Sequence, residues 1–60
     1  MNDNLTLHEI RNHLAVIMGF CDLLLEDLPE NDPKRTDILQ VRKAGEAALA
    51  LVSQLEALRR

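Results

Sequence analysis

Sixty residues make one domain at most, and a chain of that size buries only about 60% of its unfolded surface, so a stable monomer is marginal. Seven Lys and Arg stand against ten Asp and Glu, net −3, with no basic cluster larger than Lys34-Arg35, Arg42-Lys43 or Arg59-Arg60. Nucleic-acid binding needs a positive stripe, and the sequence has none.

Hydrophobic residues reach 47% while aromatics stop at 2%, with Phe20 alone, so the core must come from Leu, Ile, Val and Ala. The longest apolar run, Leu14 to Cys21, ends at Asp22 and falls far short of the ~20 residues of a membrane span. No basic segment precedes it, so no signal peptide is read. The one cysteine, Cys21, has no internal disulfide partner and fits a small core residue in a reducing compartment. The expectation is a cytoplasmic chain or fragment.

The first helix is expected over about residues 4–27. Asn2, Asp3 or Asn4 can cap it, and Thr6-Leu7-His8-Glu9 offers an alternative start as a capping box. Leu7, Ile10, Leu14, Ile17, Cys21, Leu24 and Leu28 recur at alternating intervals of three and four, a heptad seam. Val16, Phe20 and Leu23 widen it on one flank and Met18 and Leu25 on the other, giving an apolar arc of roughly 220°. His8 falls in the middle of the polar gap, above Asn12, Ala15, Gly19, Asp22 and Glu26. Gly19 costs about 1 kcal/mol against Ala in a helix interior, and its place in this strip points to close approach by a partner. His13 lies about 140° from His8, inside the apolar arc, and is expected to be partly buried and hydrogen-bonded. Two histidines five residues apart share no helix face, so no metal site is expected.

Leu28-Pro29-Glu30-Asn31-Asp32-Pro33 is the only break. Pro29 disfavours helix at Leu28, and Asp32-Pro33 restarts it with an N-cap followed by proline at the first helical position. The second helix is expected over about residues 33–59, after a turn at 28–32. Ile38, Val41, Gly45, Ala48, Val52 and Leu55 form its seam, broadened by Ala44, Leu51 and Leu58 on one side and Leu49 on the other. Lys43, Glu46, Ala47, Ala50 and Gln54 lie opposite. Ala44, Gly45 and Ala48 are small where the first helix is bulky, so the helices can approach closely.

So short a connection makes the helices antiparallel neighbours. One partner helix covers only part of the first helix's arc, and a lone hairpin would expose a long apolar stripe. The expected fold is all-α: an antiparallel two-helix hairpin that dimerises into a four-helix bundle, with residues 1–60 as one domain.

His8-Glu9-Ile10-Arg11-Asn12, with Leu14, Ile17, Gly19 and Leu23-Leu24-Leu25-Glu26 behind it, resembles the H-box of sensor histidine kinases. The domain concerned is their dimerisation and phosphoacceptor domain, and the resemblance covers nearly the whole chain. It implies that His8 is the phosphoacceptor and that Glu9 is the acidic neighbour assisting proton removal from the imidazole. Asn12 would be the polar residue that positions water for dephosphorylation in bifunctional members. Arg11 occupies a common basic position. Many members carry proline directly after that polar residue, where this chain has His13, so a straighter first helix is expected. The family's ATP-binding boxes are absent and no G-x-G occurs. ATP and Mg would therefore come through a separate catalytic domain, in a longer chain or another one.

The chemistry suits those residue types. Phosphoryl transfer needs an in-line nucleophile and stabilised charge, and a neutral imidazole supplies an unprotonated nitrogen. To meet ATP once and a receiver aspartate later, the ring must project into solvent from a rigid rod. The expected partners are a second copy of the chain, an ATP-binding kinase domain and a response-regulator receiver. Ala15, Gly19 and Asp22, with Arg11, Lys43 and Ala47, are the expected contact residues. The competing reading is a helical-hairpin dimerisation module with an inert His8. A histidine phosphotransfer domain fits less well, because those bundles are longer chains with a different motif.

Overall fold

Proline occurs only at positions 29 and 33, so good helix formers run unbroken on either side. The computed structural model describes residues 3–58, with helices α1 (Asp3–Asp27) and α2 (Lys34–Leu58). Each has 25 residues and so spans about 37 Å. They lie antiparallel in a rod of 45 × 15 × 14 Å. Among the described residues there is no strand, and the fold is an all-α hairpin. Asn4 and Thr6 both sit inside α1, so neither caps it, and the capping-box start is not used. The other cap candidate, Asn2, and the expected end at Arg59 lie outside the described residues.

The turn follows from its sequence. The Leu28 amide still donates to the Leu24 carbonyl at 3.0 Å, and Pro29 then has no N–H with which to continue. The Asp32 amide closes a turn onto the Pro29 carbonyl at 3.0 Å. Asp32 Oδ1 accepts from the Lys34 amide at 2.9 Å, and the Asp32 carbonyl from the Arg35 amide at 3.1 Å. Asp32 thus caps α2, which begins at Lys34, one residue after the expected start, with Pro33 in the turn between them. Arg35 closes the other side of the turn. Its guanidinium donates to the Leu25 carbonyl and, at 3.1 Å, to the Leu28 carbonyl. Those acceptors end a helix that has no basic residue in its own last turn, so Arg35 supplies both the missing donors and the missing positive charge.

Leu7, Arg11, Leu14, Met18, Cys21, Leu25 and Leu28 of α1 face the partner helix, all buried or half-buried. Ile38, Arg42, Gly45, Leu49, Val52 and Glu56 answer from α2. Gly45 lets the helices close up: a Cβ there would stand 3.1 Å from Met18 Cγ. Both rows keep a heptad rhythm, but each is rotated from the seam read in the sequence. Ile10, Ile17 and Leu24 of α1 are exposed, as are Val41 and Leu55 of α2. The reason is width. An arc of roughly 220° is broader than one neighbouring helix can cover, and α2 takes only one edge of it.

The core is correspondingly thin. Among the described residues the buried hydrophobics are Leu7, Cys21 and Val52. The reading of Cys21 as a core residue holds at 5% exposure. His13 corrects its expectation: it is exposed, because it lies on the part of the arc that α2 does not reach. Among the described residues, no helix is long and apolar enough to cross a membrane.

Candidate functional site

Two cross-links fix which side of the hairpin is which. Arg11 donates to Glu56 at 3.1 Å through Nε and to Ser53 Oγ at 2.8 Å, and its Nη2 forms an ion pair with Glu56. Arg42 Nε meets Asp22 Oδ1 at 2.6 Å, while its Nη1 pairs with Glu46 one turn on. Both links straddle the same side of the α1–α2 seam. Glu56 is the first cause of a raised Arg11 pKa, and Asp22 of a raised Arg42 pKa. A raised arginine pKa adds stability below its ordinary value and loses it only above the shifted one, so neither pair makes the fold pH-sensitive near neutrality.

His8, Asn12, Ala15, Gly19 and Asp22 form an exposed strip on this side. Their spacing places His8 roughly 110° from the centre of the buried seam. Its ring is thus carried clear of the core on an unbroken helix. Glu9 is exposed as well, one residue on and about 100° around the axis. Adjacent helical residues do not face each other, so Glu9 reaches the ring only through its flexible stem. Asn12, one turn along, shares the histidine's side. A Cβ built on Gly19 meets nothing within 4 Å, so space is open beside the strip.

The expected contact residues do not share one surface. Ala15 and Gly19 are exposed on the face that carries His8, about 10 and 16 Å along the rod from it. Asp22 is exposed but ion-paired to Arg42. Arg11, expected to face a partner, is instead half-buried and turned inward to Ser53 and Glu56. Lys43 is exposed on the polar side of α2, level with the Asp22–Arg42 pair and thus about 20 Å along the rod from His8. Ala47 is exposed on the back of α2, away from the strip. Ser53, Glu56, Arg35 and Arg42 were not singled out from the sequence. Arg42 and Glu46 carried one signal, their four-residue spacing; the others depend on the hairpin register. Among the described residues no group of histidine, cysteine and acidic side chains can hold a metal ion.

The chain is a two-helix hairpin that presents His8 from the polar face of α1. The family model described as the His Kinase A (phospho-acceptor) domain matches residues 6–60, and the chain belongs to that family. No protein of curated function and no solved structure matches it. Membership carries, in general terms, dimerisation and a kinase partner.

Proposed function

We propose that the chain is the phosphoacceptor and dimerisation module of a two-component sensor kinase, with His8 as the residue phosphorylated. One observation carries the reading: within the family match, His8 stands exposed on an unbroken helix, at one end of an open strip. The unprotonated imidazole nitrogen attacks the γ-phosphorus of ATP held by a separate catalytic domain. The bond to the bridging oxygen breaks and ADP leaves. Glu9 takes the proton from the other ring nitrogen as the phosphohistidine forms. A receiver aspartate then attacks the same phosphorus, and the P–N bond breaks. Asn12 can both donate to and accept from a water attacking the receiver's phosphate, which would make the module a phosphatase as well. The receiver docks along Ala15, Gly19 and Asp22, reaching toward Lys43.

A second copy completes the fold. Ile10, Ile17, Phe20 and Leu24 of α1 and Val41, Leu51 and Leu55 of α2 are all exposed. Helical spacing places them together on the side away from the ion pairs. Two such faces packed together give a four-helix bundle. The purified chain should sediment as a dimer at micromolar concentration, with a melting temperature that rises with concentration; a folded monomer there would contradict the assembly.

The chemical test supplies a compatible ATP-binding domain in trans. The chain should then gain an acid-labile, base-stable phosphate, and with ATP alone it should gain none. Glu9→Gln should slow labelling by about 10²–10⁴-fold. Asn12→Ala should leave labelling nearly intact and reduce receiver dephosphorylation. Unchanged dephosphorylation would remove the phosphatase role, and unchanged labelling in Glu9→Gln would remove the base.

A further inference from the structure

His13 has no place in the chemistry above, yet it stands in an unusual setting. It occupies the position directly after Asn12, where the resembling kinases commonly carry proline. It is exposed in the hairpin, and it falls on the uncovered apolar side. Ile10, Ile17 and Phe20, all exposed, surround it on α1. Across the seam at the same level α2 presents Ala48, Leu51 and Leu55; among the described residues the titratable group α2 carries on that face is Asp37, about 20 Å farther along the rod. The one charged group near it on α1 is Glu9, one turn back. An imidazole therefore sits in the face that a second copy would cover.

We propose that His13 makes the association of two copies proton-linked, so that the dimer forms with both imidazoles neutral and weakens as they charge. The inference rests on the dimer reading above. Covering the face removes water from two imidazoles at once, and an apolar contact disfavours their charged form. Glu9 lies at the rim of the face, one turn from His13, and is exposed in the hairpin. Histidine is the side chain whose ordinary titration falls between pH 5 and 8. The sign follows: the separated chains bind more protons than the dimer, so acid favours separation.

The magnitude is large enough to measure. Two imidazoles held neutral in the dimer and free to take up protons when separated can weaken the dimer by up to about a hundredfold over two pH units. Carboxylates stay ionised over most of the range from pH about 7.5 to 5.5. Sedimentation equilibrium of the whole chain across that interval should show at least a ~10-fold rise in the dimer dissociation constant, by the same two-proton relation. His13→Leu should flatten the dependence and tighten the dimer at low pH. His13→Gln, polar but untitratable, should flatten it as well. His8→Gln should keep the wild-type dependence, because His8 lies on the other side of the hairpin. A dimer whose dissociation constant changes less than about twofold over the interval overturns the proposal. So does a His13→Leu chain that keeps the wild-type slope. A chain that is monomeric at every pH overturns the dimer reading itself, a different failure from a pH-independent dimer.

Discussion

The two long sides of this hairpin are built from the same two helices and are in opposite states. On one, charged groups reach across and finish the surface within the chain, Arg11 to Ser53 and Glu56 and Arg42 to Asp22. On the other, the side chains facing outward from both helices are large and apolar. Phe20 and Leu51 remain 62% and 61% exposed, and few apolar side chains are buried anywhere in the described chain. The difference teaches how one short hairpin can present two kinds of surface. The side that carries His8 is complete without a partner and can stay open to visiting domains. The opposite side leaves its apolar side chains uncovered within the hairpin, and on the proposed reading a second copy covers them.

The largest expected effect breaks the apolar side. Phe20→Ala should cost about 3–5 kcal/mol per subunit if assembly buries the ring. If the ring stays as exposed as the hairpin leaves it, the loss should be well under 1 kcal/mol. Urea titration at two protein concentrations separates these outcomes. The turn comes next: Arg35→Ala leaves the Leu25 and Leu28 carbonyls short of their charged donor and should cost about 1–2 kcal/mol.

The two glycines sharpen the comparison further. Gly19→Ala meets open space and should stabilise the fold by about 1 kcal/mol through helix propensity alone. Gly45→Ala should gain less, because the new Cβ would press on Met18 Cγ at 3.1 Å. Equal gains would mean that the seam is looser than described. Gly19→Trp should slow transfer to a receiver while leaving the dimer intact. The smallest effect belongs to Arg42→Ala, which removes surface ion pairs. It should lower the melting temperature only slightly, and less still in about 1 M salt, where such pairs are screened.

Much of this was legible from the residues. Pro29 and Asp32-Pro33 announce the turn and the restart by local rules that no tertiary contact overrides. His8 was legible because a lone polar gap in a wide apolar arc has only one side on which to lie. The seam was harder. Ile10, Ile17 and Leu24 satisfy the heptad rhythm as well as Met18 and Leu25 do, and periodicity cannot say which edge of a wide arc meets α2. His13 was misplaced for the same reason, since lying in the apolar arc is not the same as lying against α2. Arg11 is an expected partner contact by resemblance, yet its neighbours across the hairpin are Ser53 and Glu56, more than forty positions away in the chain. Such a pairing depends on register, which the sequence does not display.

The division between the two sides is tested most directly by finding where phosphate goes. After incubation with ATP and a compatible catalytic domain, peptide mapping at neutral or alkaline pH should place a single phosphohistidine at His8. His13 should stay unmodified, and His8→Gln should be unlabelled although it still forms the dimer. Phosphate on His13, or full labelling of His8→Gln, would contradict the assignment of the polar side as the reactive one.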